Sequence, residues 1–309
     1  MNGEIAHIGH VELLTPRFTE SLEFFTRILG LAIVEESGHS AYLRGYGDYE
    51  RVGFKLTDSP EAGLGHAAFR ARSADALQAC VRRFEGVGGR RGTWIDGDIG
   101  HGPAYQFRNP EGHLMEVYFE TERQPNLSGL PKNRVDRRGR GAIGVSRVDH
   151  FNLFSHDVAA DRQFAETHLG VRTLDLIVDD GRETGAFTTL TIKPLELVFV
   201  LDPAPRAGRL HHLAFWVDTR DEVLRAADVF LEHGVPIEVA PALHTIGKSF
   251  FLYGLEPGGN RIEVTTGADF HFDPDGPPRV WTTQERRAGI GWGTKFPNTW
   301  LTYGTPTSS

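Results

Sequence analysis

Between residues 244 and 263 the chain sets a histidine, a tyrosine and a glutamate, His244, Tyr253 and Glu263, nine and ten residues apart. The stretch reads as loop, strand, tight turn and strand. In Glu256-Pro257-Gly258-Gly259-Asn260 the proline presets φ and the glycines permit positive φ. Strands over Ser249 to Tyr253 and Arg261 to Thr265 flank the turn, so the hairpin brings Tyr253 near Glu263. Two upstream histidines, His150 in Val148-Asp149-His150-Phe151 and His212 in Leu210-His211-His212-Leu213, open further strands. Two histidines and one carboxylate on a β scaffold bind a divalent ion and leave coordination positions open, the arrangement that Fe(II) chemistry uses.

The elements that position these residues recur four times, each a short strand, an amphipathic helix and further strands. The first runs from Ile8-Gly9-His10-Val11 into a helix from Phe18 to Leu29. Its Leu22, Phe25, Ile28 and Leu29 mark one buried face, and Gly30 is its C-cap. The third repeats this with His150-Phe151-Asn152-Leu153 and a helix from Ala159 to His168. The second and fourth place Gly65-His66-Ala67-Ala68-Phe69 and His212-Leu213-Ala214-Phe215 before helices over Ala74 to Phe84 and Asp221 to His233. Both then reach a proline-glycine hairpin and a strand carrying a glutamate, Glu116 or Glu263. The unit is βαβββ, and the fold class is α+β, with two units per domain in a curved, partly closed sheet. The expected boundaries are 1–122, a Pro- and Arg-rich linker over 123–144, a catalytic domain over 145–268, and an ordered C-terminal extension or lid over 269–309.

The chain of 309 residues carries net charge −8, which argues against a nucleic-acid or anionic-membrane surface. A single cysteine, Cys80, permits no internal disulfide and fits a reducing compartment. The N-terminal residues have no basic start and apolar run, and no stretch of about 18 apolar residues occurs, so a cytoplasmic location is expected.

The repeat also puts His10, His66 and Glu116 at positions matching His150, His212 and Glu263. Counting back ten and nineteen residues from Glu263 gives Tyr253 and His244; from Glu116 the same count gives Gln106 and Gly97. Tyr105 is one residue out of register and turns to the other face. The first half thus keeps ligand-type residues without acid–base groups, as a vestigial or a second metal site.

These motifs, above all Arg209-Leu210-His211-His212, Leu224-Arg225-Ala226-Ala227-Asp228 and the segment from His244 to Glu263, resemble the type I extradiol ring-cleavage dioxygenases of the vicinal oxygen chelate (glyoxalase-like) superfamily. The resemblance spans essentially the whole chain. It implies that His150, His212 and Glu263 bind Fe(II), with Mn(II) as the other candidate, and that O2 and a small aromatic diol are the substrates. Tyr253 would hydrogen-bond a substrate oxygen and favour its deprotonated form, and His244 would orient the other side of the ring. It further implies a homo-oligomer, a tetramer in this family, and a covering segment in which Arg286 or Arg287 meets an acidic ring substituent. Trp292, Phe296 and Trp300 read as packing.

One departure stands out. The position of the family's acid–base histidine holds Leu195, in an expected strand over Thr191 to Val200 where Glu196 would point to the opposite face. His211 likewise alternates away from His212, to a supporting or surface position. Two other readings compete: a non-oxidative metal-dependent member of the superfamily (an isomerase, epimerase or lyase type), and a non-catalytic binding module. The paired His244 and Tyr253 speak against the first, and the metal set and duplicated length against the second.

Overall fold

The computed structural model describes residues 3–86, 92–124, 142–288, 290–291 and 295–308. Two curved sheets organise the chain. In the first, strands Ala32–Ser37, Ser40–Arg44, Phe54–Asp58, Ile5–Thr15, Gly63–Ala71, Leu114–Tyr118, Ala104–Arg108 and Thr93–Ile95 lie side by side in that order. The second repeats the path with Arg172–Asp179, Arg182–Thr189, Leu197–Leu201, Arg147–Ser155, Arg209–Trp216, Arg261–Thr266, Phe250–Leu255 and Ile237–His244. In each sheet the first strand of one unit pairs antiparallel with the first strand of the next. Gly63–Ala71 is buried at every position, its His66 and Arg70 included.

The four helices fall close to their sequence positions. Helices Ala74–Gly86, Val158–His168 and Arg220–Glu232 match, the second capped by Asp157 accepting from Ala160 N at 3.0 Å. The first differs: after an α segment Phe18–Glu23 the chain widens into a π turn over Phe24–Ile28, with Leu29 N donating to Phe24 O at 3.0 Å. Phe24, Phe25 and Ile28 within it are all buried. Gly30 follows at φ +86, the left-handed exit that a glycine takes without strain.

The two sheets share one hydrophobic core. Phe25 meets Phe215, Phe69 meets Phe151, and Phe24 meets Phe230, with ring centroids 5.7–6.1 Å apart. Each buried phenyl contributes about 2 kcal/mol through lost apolar surface. A buried polar clasp joins the halves as well: Ser21 Oγ donates to Glu256 Oε2 at 2.6 Å, at the turn that precedes the Glu263 strand.

Most of the expected linker, residues 125–141, lies outside the described residues. The C-terminal extension adds Arg279–Trp281 to the outer edge of the second sheet, tied there by Trp281 Nε1 donating to Asp175 Oδ1 at 2.7 Å. Helix Asn298–Thr302 then packs over the sheet's concave side, and Thr305–Pro306 pairs with Arg209 and Leu210. No helix among the described residues is long and apolar enough to cross a membrane.

The strand expected over Thr191 to Val200 is shorter than its sequence implies. It begins at Leu197, and residues 190–196 bend around one carboxylate. Glu196 Oε2 accepts from Leu190 N, Thr191 N and Thr189 Oγ1 at 2.8–2.9 Å. Satisfying those backbone donors outweighs the apolar propensity of the segment.

Candidate active site

His150 and His212 stand inside their strands, each the fourth residue, rather than at the starts. The antiparallel ladder between these strands shifts register between Leu210 and His212, and the ladder between Phe250–Leu255 and Arg261–Thr266 sets Tyr253 directly opposite Glu263. The result is convergence on one carboxylate. Glu263 Oε2 lies 3.1 Å from His150 Nε2 and 3.0 Å from His212 Nε2, and all three side chains are buried.

These groups fit a divalent cation. Neither Glu263 oxygen has a hydrogen-bond partner of acceptable angle, although both imidazoles are within reach. His150 Nδ1 donates to Asp149 Oδ2 at 2.8 Å, which leaves the Nε2 lone pair turned toward Glu263. Asp149 is itself held by Lys193 Nζ at 2.6 Å. A buried carboxylate with two imidazole lone pairs around it is a ligand set awaiting positive charge.

The electrostatics agree. Burial works to lower the His150 pKa, yet Glu263 and Asp149 outweigh it and raise it to about 9. Burial dominates at His212 and lowers it to about 4. Glu263 is pushed up by burial, but the His150, His212 and His244 imidazoles hold it well below the usual carboxylate range.

A small cavity of about 50 Å³ opens from the triad. His244 and Tyr253 line it, with His244 Nε2 3.1 Å from Tyr253 Oη and 3.8 Å from Glu263 Oε1. His244 is oriented by Phe251, stacked on it at 3.7 Å between centroids. Burial lowers the His244 pKa, and burial with the Glu263 charge raises that of Tyr253 well above its ordinary value, so both are neutral at pH 7. Leu195 lines the same cavity, packed with Phe154, Val198 and Val200. It reaches the cavity from an irregular bend rather than from a strand, and Glu196 accepts from the backbone donors beside it.

Several residues occupy places their sequence context does not reveal. Phe296 and Trp300 line the cavity and stack on each other at 3.8 Å, so they are wall residues as well as packing. Arg286 lines it too, with its guanidinium 5.7 Å over the Trp300 ring. The side chain of Arg287, and Trp292, lie outside the described residues. His211 takes the supporting one of its two expected positions: it is buried, and the register shift beside it brings its Nδ1 within 2.6 Å of His212 Nδ1. Asn152, Phe187 and Ile246 also line the cavity unannounced. Of these, Asn152 was readable, since strand alternation puts it on the face of His150.

The first half assembles its own group. His10 Nε2 lies 3.0 Å and His66 Nε2 3.6 Å from Glu116 Oε1, and each of the two His/His/Glu sets is able to hold a metal ion. Gln106 pairs with Glu116 as Tyr253 does with Glu263, while Tyr105 turns to the opposite face against Phe84. Gly97, at the position matching His244, sits in a turn at φ +94.

Comparison with known proteins agrees with this architecture. The model of the Glyoxalase/Bleomycin resistance protein/Dioxygenase superfamily matches residues 7–117 and again 147–264. The chain is 40% identical to a metapyrocatechase of Geobacillus stearothermophilus over 99% of this chain and 95% of that protein. It is 32% identical to a manganese-dependent 2,3-dihydroxybiphenyl 1,2-dioxygenase of Geobacillus genomosp. 3, over 94% of this chain and 95% of that one. Among solved structures, homoprotocatechuate 2,3-dioxygenase of Brevibacterium fuscum, in its anaerobic complex with 3,4-dihydroxyphenylacetate, superposes with TM-score 0.88 at 26% identity. That match covers 98% of this chain and 93% of the other. Two His/His/Glu groups at repeat-matched positions, a cavity on the second, and relatives matched over nearly their whole length place the chain in the glyoxalase/bleomycin resistance protein/dioxygenase superfamily, among its metal-dependent extradiol ring-cleaving dioxygenases.

Proposed function

We propose that the second half of the chain opens a catechol-type ring beside its two hydroxyls, with Fe(II) as the ion held by His150, His212 and Glu263. The observation that carries this reading is the convergence of those three ligand atoms on the inner wall of a cavity that also presents His244 and Tyr253. When bound, the ion would bring the deprotonated diol and O2 together and pass electron density from one to the other. Mn(II) suits the same donors, and one relative is named as manganese-dependent.

The chain's own groups supply the rest. Tyr253 Oη donates to a substrate oxygen and stabilises its anionic form, in a buried position where such a bond is worth more than in water. His244, neutral at pH 7, accepts a proton at Nε2 and returns it to the opened product. The two atoms are 3.1 Å apart, so a proton passes between them without a bridging water. Phe187, Val198, Leu195, Phe296 and Trp300 give the ring apolar walls and exclude water. With Leu195 apolar, His244 and Tyr253 carry the proton traffic. Arg286 faces the cavity where a ring bearing an acidic substituent would place its carboxylate. By family resemblance the protein is a cytoplasmic homo-oligomer, with a tetramer the expected form.

The test is anaerobic reconstitution with Fe(II) or Mn(II), then oxygen uptake and absorbance scanning with catechol, 3,4-dihydroxyphenylacetate and 2,3-dihydroxybiphenyl. A yellow ring-opened product that depends on the metal and vanishes in His212→Ala supports the reading. Stoichiometric metal with no oxygen consumed on any diol contradicts it.

A further inference from the structure

The first sheet reproduces the register of the second at the metal-holding positions. Glu263 lies opposite Ala214 on the neighbouring parallel strand, and His212 stands two residues before Ala214. Glu116 lies opposite Ala68 in the same way, and His66 stands two residues before it. On the antiparallel side His212 faces Asn152, two residues after His150, and His66 faces Glu12, two residues after His10. The ring geometries agree closely. His10 and His66 have centroids 5.0 Å apart at 84°, and His150 and His212 have centroids 5.2 Å apart at 82°.

The first set is also unsatisfied where a ligand would satisfy it. His10, His66 and Glu116 are 2%, 6% and 3% exposed, and neither nitrogen of His10 nor the Nε2 of His66 has a hydrogen-bond partner of acceptable angle. Buried polar atoms without partners are costly and uncommon, and two of these, His10 Nε2 and His66 Nε2, lie 3.0 Å and 3.6 Å from the same carboxylate oxygen, Glu116 Oε1. His66 Nδ1 donates to Glu12 Oε2 at 3.0 Å, which fixes the tautomer that turns the Nε2 lone pair toward Glu116. A carboxylate behind an imidazole in this way both orients it and strengthens it as a ligand.

We propose that His10, His66 and Glu116 bind a second divalent first-row cation, of the Zn(II) or Mn(II) kind, in a closed site that does not turn over substrate. Its surroundings are filled. His101 stacks on His10 at 3.9 Å between centroids, and the Tyr118 ring lies 5.1 Å from it. Tyr118 Oη donates to Glu50 Oε2 at 2.6 Å, and His101 Nε2 reaches the same oxygen at 3.1 Å. Gly9 makes room for that ring: a Cβ there would stand 2.2 Å from Tyr118 Oη. Where the second half has Tyr253, the first has Gln106, whose amide Nε2 donates to Glu116 Oε2 at 3.4 Å and which carries no titratable proton. Two imidazoles and a carboxylate in a closed setting suit a structural ion that ties three strands of the sheet together.

Metal analysis separates this site from the one in the second half. Protein stripped with a chelator is dialysed against Zn(II), then against buffer, and its metal is counted per chain. The native protein is expected to retain two ions, Glu263→Gln one, Glu116→Gln one, and the double variant none. Zn(II) is also expected to raise the melting temperature of Glu263→Gln. One ion in the native protein and none in folded Glu263→Gln overturns the proposal and leaves the ring-cleavage reading standing. If Glu116→Gln fails to fold, the native and Glu263→Gln ratios decide alone, with His66→Gln as the second probe of the site.

Discussion

Tyr253 and Glu263 are direct cross-strand partners, ten residues apart around the Glu256-Pro257-Gly258-Gly259 turn, and the pairing puts a phenol hydroxyl beside the buried Glu263 carboxylate. The turn length fixes this relationship. In an antiparallel ladder a slip of one residue would send Tyr253 to the opposite face. That is the fate of Tyr105 in the first half, where Gln106 holds the paired position.

Tyr253→Phe removes the hydroxyl 3.1 Å from His244 Nε2 and leaves the proposed ligands His150, His212 and Glu263 in place. Metal content is expected to stay at the native ratio, while kcat on catechol falls by about 100-fold, the lower range for loss of one acid–base group. Steady-state oxygen uptake beside metal analysis checks both halves of the statement.

Arg286 faces the cavity, so Arg286→Ala is expected to discriminate between substrates. KM for 3,4-dihydroxyphenylacetate should rise by about 10-fold, the value of one charge-assisted hydrogen bond, while KM for unsubstituted catechol moves little. Equal effects on the two diols would remove Arg286 from substrate recognition.

Leu195 occupies a cavity wall where an imidazole would be useful. Leu195→His is expected to raise kcat by about 10-fold or more through an added proton carrier. The gain comes at a cost in stability, since Leu195 packs on Phe154, Val198 and Val200, and burying a ring nitrogen there costs about 1–3 kcal/mol. Calorimetry and oxygen uptake on the same preparation read the two changes.

Far from the cavity, Asp161 is buried in helix Val158–His168, and burial raises its pKa from 3.8 to about 7. Below pH 4 the folded and unfolded chains both hold this proton. As pH rises toward 7 the unfolded chain releases it while the folded chain retains it, so stability falls by up to about 4 kcal/mol. Asp161→Asn abolishes that loss. The variant's melting temperature relative to native protein is therefore expected to be higher at pH 8 than at pH 5.

Much of the site was legible because its positions repeat. His150, His212 and Glu263 declare themselves by their match to His10, His66 and Glu116, and the proline-glycine hairpin makes the Tyr253–Glu263 pairing computable from spacing alone. What spacing cannot show is where a strand gives way to side-chain capping. The segment before Leu197 has strand composition, yet the Glu196 carboxylate collects its backbone donors and turns it. Alternation also fails at a bulge, which is how two consecutive histidines, His211 and His212, come to touch. Phe296 and Trp300 were unreadable as wall residues for another reason. They arrive on a segment without hydrophobic periodicity, and only the packing of the extension over the concave sheet brings them to Tyr253.

The most direct measurement is turnover of catechol under 18O2 by the Fe(II)-reconstituted protein, with mass spectrometry of the ring-opened product. Both oxygen atoms of one O2 are expected in the product, which is absent when Glu263→Gln replaces the native chain. A product without label, or labelled product from folded Glu263→Gln at the native rate, would contradict the assignment of ring cleavage to the His150, His212 and Glu263 centre.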